Sequence, residues 1–147
     1  MSDRIFLVVI PGAALASVDL FVKATLPTAS WAFHHRSNSW VALSVVLLIG
    51  GLVLAFLPSR AVALAGGVLC GGVIGNLVSA RADGNWVPNP LTIGSYGGGI
   101  AFNLADVFFV LGEVLLMTAL IVEVLRNRHR LTPARAWERA FVRRLHL

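Results

Sequence analysis

The chain has 147 residues, 57% of them hydrophobic and 13% charged, with a mean hydropathy of +0.81, a balance that excludes an ordinary water-soluble globule and points to an integral membrane protein. The net charge of +5 is concentrated in residues 126–147, which hold seven arginines against one acid, Glu138; beside a membrane helix such a tail marks the cytoplasmic side, and no nucleic-acid partner is expected. A single cysteine, Cys70, excludes an internal disulfide and any multi-cysteine metal site.

Four apolar stretches predict an all-α fold, a bundle of four transmembrane helices occupying residues 1–125, each near the roughly 20 residues that cross a hydrocarbon core. The first, 5–26, carries Pro11, Asp19 and Lys23. It is too long for a cleaved signal peptide, lacks a basic leader and has charges in its second half, so a retained helix is expected. A loop follows with Trp31, the adjacent His34 and His35, Arg36 and Asn38. Neighbouring histidines point to opposite sides of an extended chain and no third ligand is apparent, so no metal is expected.

The second helix, 40–57, ends at Pro58, and the third, 61–78, has Gly67, Gly71 and Gly75 at four-residue spacing, a small-residue face that lets a neighbouring backbone approach closely. The loop 80–100 holds Arg81, Asp83 and the glycine-rich stretch 94–99, expected to be flexible. The fourth helix, 102–125, opens with Asn103 and Asp106 and is interrupted by Glu113, Thr118 and Glu123. In the tail, Trp137 and Phe141 lie four apart and predict a short amphipathic helix on anionic lipid.

Arginine placement sets the orientation. Arg4, Arg60 and the tail fall on one side, which the positive-inside rule makes cytoplasmic, with both termini there and the loops 27–39 and 80–100 outside. On that topology Asp19, Lys23, Asn38, Asn76, Asn103 and Asp106 all fall near the outer membrane boundary. An intramembrane acid is by default a functional-site hypothesis, and polar groups from every helix at one depth predict a single site. Glu113, two turns below Asp106 on the same face, is expected to be a neutralised interhelical hydrogen-bonder.

The segments Gly71-Gly72-Val73-Ile74-Gly75-Asn76-Leu77 and Phe102-Asn103-Leu104-Ala105-Asp106, with Asp19 and Lys23 four apart, resemble the lipoprotein signal peptidases (signal peptidase type II), over nearly the whole chain. The resemblance implies a multi-pass protein of the bacterial inner membrane that cuts the signal peptide from diacylglyceryl-modified prolipoproteins, with two aspartates sharing a proton. Its partners are those signal peptides and membrane lipids; no cofactor is expected. By the resemblance Asp106 is one catalytic aspartate, and Asn103, Asn76, Asp19, Lys23 and Asn38 are substrate-binding.

The departures are specific. Ser79-Ala80 stands where the family has Asp-Arg, and Pro88, four residues after Gly84, stands at the other catalytic aspartate. Asn38-Ser39-Trp40-Val41-Ala42-Leu43 replaces the family's Asn-x-Gly-Ala-Ala/Ser-Phe. Asp83 is the other acid in the outer loops and the candidate substitute partner for Asp106. Three readings follow: an active peptidase using Asp83, a degenerate member that binds lipid-modified signal peptides without cutting, and an unrelated ion path through Asp19, Asp106 and Glu113. One acid cannot play both proton roles, which favours the degenerate member.

Overall fold

The computed structural model describes residues 2–94 and 99–128; the expected interfacial helix around Trp137 and Phe141 lies outside the described residues. In chain order the elements are α1 (Ser2–Thr25), a 3-10 turn (Ser30–Ala32), β1 (Phe33–His35), α2 (Asn38–Leu54), α3 (Arg60–Ala82), β2 (Trp86–Pro88), β3 (Leu91–Ile93), β4 (Ile100–Phe102) and α4 (Leu104–Asn127).

The chain is mostly helical, and α1, α3 and α4 are each long and apolar enough to cross a membrane. The second helix is shorter than its apolar run: α2 has 17 residues. The Ala55, Phe56 and Leu57 amides bond three residues back, to Leu52, Val53 and Leu54, tightening the turn before Pro58, whose ring disfavours a helical residue ahead of it. In contrast, α3 runs four residues past the expected end at Val78, to Ala82. It stops in a Schellman turn: Gly84 at φ +60° follows the cap, and the Asn85 amide returns to the Ala80 carbonyl at 2.6 Å.

α3 is the central helix. Two thirds of its apolar stretch (67%) is buried, against 6% for α4. Its glycines set how close the neighbours come. Pro11 has no N–H, which frees the Leu7 carbonyl of α1; a Cβ on Gly67 would lie 2.7 Å from that oxygen. Gly71 and Gly75 meet Gly12 and Asp19 of α1 in turn, and Gly72 meets Ala105 and Phe109 of α4. Outward, Phe21 on α1, Val46 on α2 and Val110 on α4 are all more than half exposed. Such apolar flanks suit hydrocarbon rather than water.

The two long connections meet at one end of the bundle. β1 pairs antiparallel with β2, Phe33 opposite Pro88 and His35 opposite Trp86; the Arg36 amide donates to the Asn85 carbonyl (2.7 Å) and the Asn89 amide to that of Ala32 (3.1 Å). β3 and β4 form a second antiparallel pair, Leu91 opposite Phe102, that leads the chain into α4. These short strands were not expected from the sequence, because three residues are too few to show an alternating pattern. At the other end the Arg4 guanidinium donates to the Leu57 carbonyl, tying α1 to the α2–α3 turn.

Candidate functional site

The site grows from the start of α4. Asn103 is the N-cap, its side chain accepting from the Asp106 amide at 3.0 Å, while the Asp106 carboxylate accepts from the Asn103 amide at 3.2 Å, a reciprocal capping box. A second anion reaches the same helix end from α1. Asp19, fully buried, accepts from the Ala105 amide through Oδ1 at 2.8 Å, where the unpaired amides and helix dipole favour negative charge. Asp19 fits there because Gly75 has no side chain: a Cβ at that position would lie 2.6 Å from its Oδ2.

Lys23, one turn along α1, neutralises that aspartate. Its Nζ stands 2.6 Å from Asp19 Oδ2 with both side chains out of solvent, and it donates to Asn76 Oδ1 at 3.0 Å. Asn76, on α3, is the hub. The same Oδ1 accepts from Asn103 Nδ2 at 2.9 Å, and Nδ2 donates to Asp106 Oδ1 at 2.8 Å. Asn103 Nδ2 also donates to Asn89 Oδ1 at 2.5 Å and lies 3.4 Å from the Pro88 carbonyl. Asn89, fully buried, closes the chain of bonds with its Nδ2 2.9 Å from His34 Nδ1.

The direction of these bonds follows from one backbone group. The Asp106 amide can only donate, so Asn103 presents its oxygen to it and its NH₂ to Asn76 and Asn89. Asn89 then presents its oxygen inward and its NH₂ to His34, which must accept with Nδ1. Asp106 accepts on both oxygens. It can orient a donor, and the other acid joined to this helix end, Asp19, is ion-paired with Lys23.

Beside Asp106 lies a cavity of about 170 Å³. Arg36, Asn76 and Asp106 form its polar end; Leu43, Leu47 and Phe109 line it further along α2 and α4. The Arg36 guanidinium lies 5.0 Å above the Trp40 ring, within cation–π range, and 4.0 Å from Asp106 Oδ1.

Of the residues singled out by sequence, Asp19, Lys23, Asn76, Asn103 and Asp106 come together. Asn38 does not: it is exposed on the first turn of α2, accepting from Asn85 Nδ2 at 3.3 Å. Asp83 is exposed at the α3 C-cap, and its carboxylate makes no hydrogen bond or ion pair among the described residues. Arg81 is exposed as well. Glu113 is exposed on α4, so the interhelical bond expected of it is absent among the described residues; the small Gly112, not Glu113, faces α3.

Sequence reading missed Arg36, His34 and Asn89 as parts of the site. They lie in polar loops, and no local spacing links them to partners 14 to 70 positions away. The proline at position 88 was the signal nearest to hand, since the residue after it is the buried amide. No family model, curated protein or solved structure matches the chain.

Proposed function

We propose that this chain is a lipoprotein signal peptidase-like protein of the bacterial inner membrane, one that recognises the signal peptide of diacylglyceryl-modified prolipoproteins and leaves it uncut. In this reading all four helices span the bilayer, both termini are cytoplasmic, and the strand-bearing loops cap the site on the outer side. The resemblance rests on the Gly75-Asn76-Leu77 and Phe102–Asp106 segments with Asp19 and Lys23. Support for a shared site comes from the hydrogen bonds that join these segments across three helices.

The observation that carries the non-cutting reading is at Pro88. Its carbonyl lies 3.4 Å from Asn103 Nδ2, so the position that the resemblance gives to the second catalytic aspartate borders the network and brings no acid to it. Aspartic proteolysis needs one carboxylate to activate water and another to protonate the leaving amine. Asp106 alone can orient a peptide N–H or a water and cannot complete that cycle.

The test is to incubate the purified full chain in detergent with a diacylated prolipoprotein peptide. The expected result is a bound, intact peptide. Cleavage that disappears in both Asp106→Asn and Asp83→Asn would establish instead a working peptidase with a relocated acid pair. Absence of both binding and cleavage would overturn the reading altogether.

A further inference from the structure

Although α4 is long and apolar enough to cross a membrane, it packs on one side only. Ala105, Phe109 and Gly112 meet α3. On the opposite side Val110, Val114, Met117, Ile121 and Val124 are each 54–58% exposed. Their spacings are four, three, four and three, the heptad seam of a left-handed helix pair. At 1.5 Å per residue the seam is about 21 Å long, most of a hydrocarbon core of about 30 Å. An apolar stripe by itself suits lipid tails as well as it suits protein.

Two polar side chains decide between them. Glu113 is exposed beside the seam, about 14 Å from the start of α4 and so near the middle of the core. Its carboxyl makes no hydrogen bond or ion pair among the described residues. An acid turned to hydrocarbon at that depth is costly, and such groups ordinarily face other protein. Thr118, also exposed, lies five residues on, at the other edge of the seam. Five is the offset at which a residue on one edge meets the opposite edge of a parallel partner helix. Thr118 Oγ1 donates to the Val114 carbonyl at 2.8 Å and keeps lone pairs for an incoming donor. A lipid tail offers Glu113 nothing, whereas a second copy of this chain brings it Thr118, and two-fold symmetry makes the same bond twice.

We propose that the outer face of α4 is the interface of a parallel homodimer, in which the five seam residues pack against their own copies and Glu113 of each chain hydrogen-bonds Thr118 of the other. The protonated carboxyl donates to the hydroxyl, so the pair buries no charge. The inference needs α4 to lie in a bilayer and is independent of the signal-peptide reading.

The full chain is reconstituted in phosphatidylcholine liposomes and introduced cysteines are oxidised in place, with the buried Cys70 as background. Val110→Cys, Val114→Cys, Met117→Cys, Ile121→Cys and Val124→Cys are expected to give disulfide-linked dimers. Leu115→Cys and Val122→Cys, also exposed but off the seam, are expected to stay monomeric. Energy transfer between fluorescently labelled copies, titrated against lipid, reads the dissociation constant. Glu113→Leu and Thr118→Val are each expected to raise it about tenfold, the loss of two interhelical hydrogen bonds per dimer, and the double variant no further than either alone. Glu113→Gln, whose amide still donates, is expected to keep most of the affinity. A face that merely meets lipid would respond the other way, with Glu113→Leu pairing as tightly as the unaltered chain or more so. That result, a monomer at every density, bridging as strong off the seam as on it, or a bridge at one seam position alone (the mark of an antiparallel pair) overturns the inference. Circular dichroism checks the helix content of each variant; should Glu113→Leu lose it, Thr118→Val carries the comparison, and unchanged pairing there overturns the inference.

Discussion

Asn103 and Asp106 hold each other across the first turn of α4, each side chain accepting the other's backbone N–H, at 3.0 and 3.2 Å. The residues that mark the site are thus also the residues that start the helix. Fold and site share atoms here, and substitutions at either position act on both.

That sharing makes the two positions unequal. Asn103→Ala removes the cap and leaves the Asn89 oxygen without its donor in a fully buried setting. Asp106→Asn keeps an acceptor for the Asn103 amide. The expected loss for Asn103→Ala is about 2–4 kcal/mol, a lost cap plus an orphaned buried acceptor; for Asp106→Asn it is about 1 kcal/mol. Equilibrium unfolding in mixed detergent measures both, and equal losses would contradict the assignment.

His34 must accept from Asn89 for the bonds further in to keep their direction. His34→Gln retains an acceptor and is expected to preserve the cap, while His34→Lys, which can only donate, loosens it by about 1 kcal/mol. Hydrogen exchange over residues 86–89 at one fixed pH compares the variants; identical protection in His34→Lys would show that the bond carries no weight.

Gly67 and Gly50 form a matched pair for helix approach. A Cβ on Gly67 meets the Leu7 and Val8 backbone of α1 at 2.7–3.0 Å, whereas one on Gly50 meets nothing within 4 Å. Gly67→Ala is expected to force α1 away and cost about 1–3 kcal/mol. Gly50→Ala is expected to be neutral or to stabilise by up to about 1 kcal/mol through helix propensity. Thermal melting of the helical signal in detergent separates them, and a harmless Gly67→Ala would mean that the close crossing is not required.

The Asp19–Lys23 pair is buried, so removing one partner strands the other. Lys23→Met is expected to cost about 3–5 kcal/mol. Adding Asp19→Asn, whose side-chain oxygen still accepts the Ala105 amide, is expected to recover most of that loss. A double-mutant cycle reads the coupling directly. Additive losses would show that the two charges do not depend on each other.

What the sequence determined by itself is what a single segment can express. Runs of about 20 apolar residues specify helices because in hydrocarbon the backbone must satisfy its own hydrogen bonds. Against that apolar background Asp19, Lys23, Asn76, Asn103 and Asp106 stand out, and their grouping at one depth follows from helix geometry alone. Only the tertiary structure decided which residues complete the site. Pairing of β1 with β2 carries His34 and Asn89 together across 55 positions and sets Arg36 beside Asp106, while Asp83 and Asn38 stay exposed at the ends of their helices. Contacts of that range depend on loop closure and on how near the glycines of α3 let α1 and α4 approach, and neither quantity is written in local periodicity.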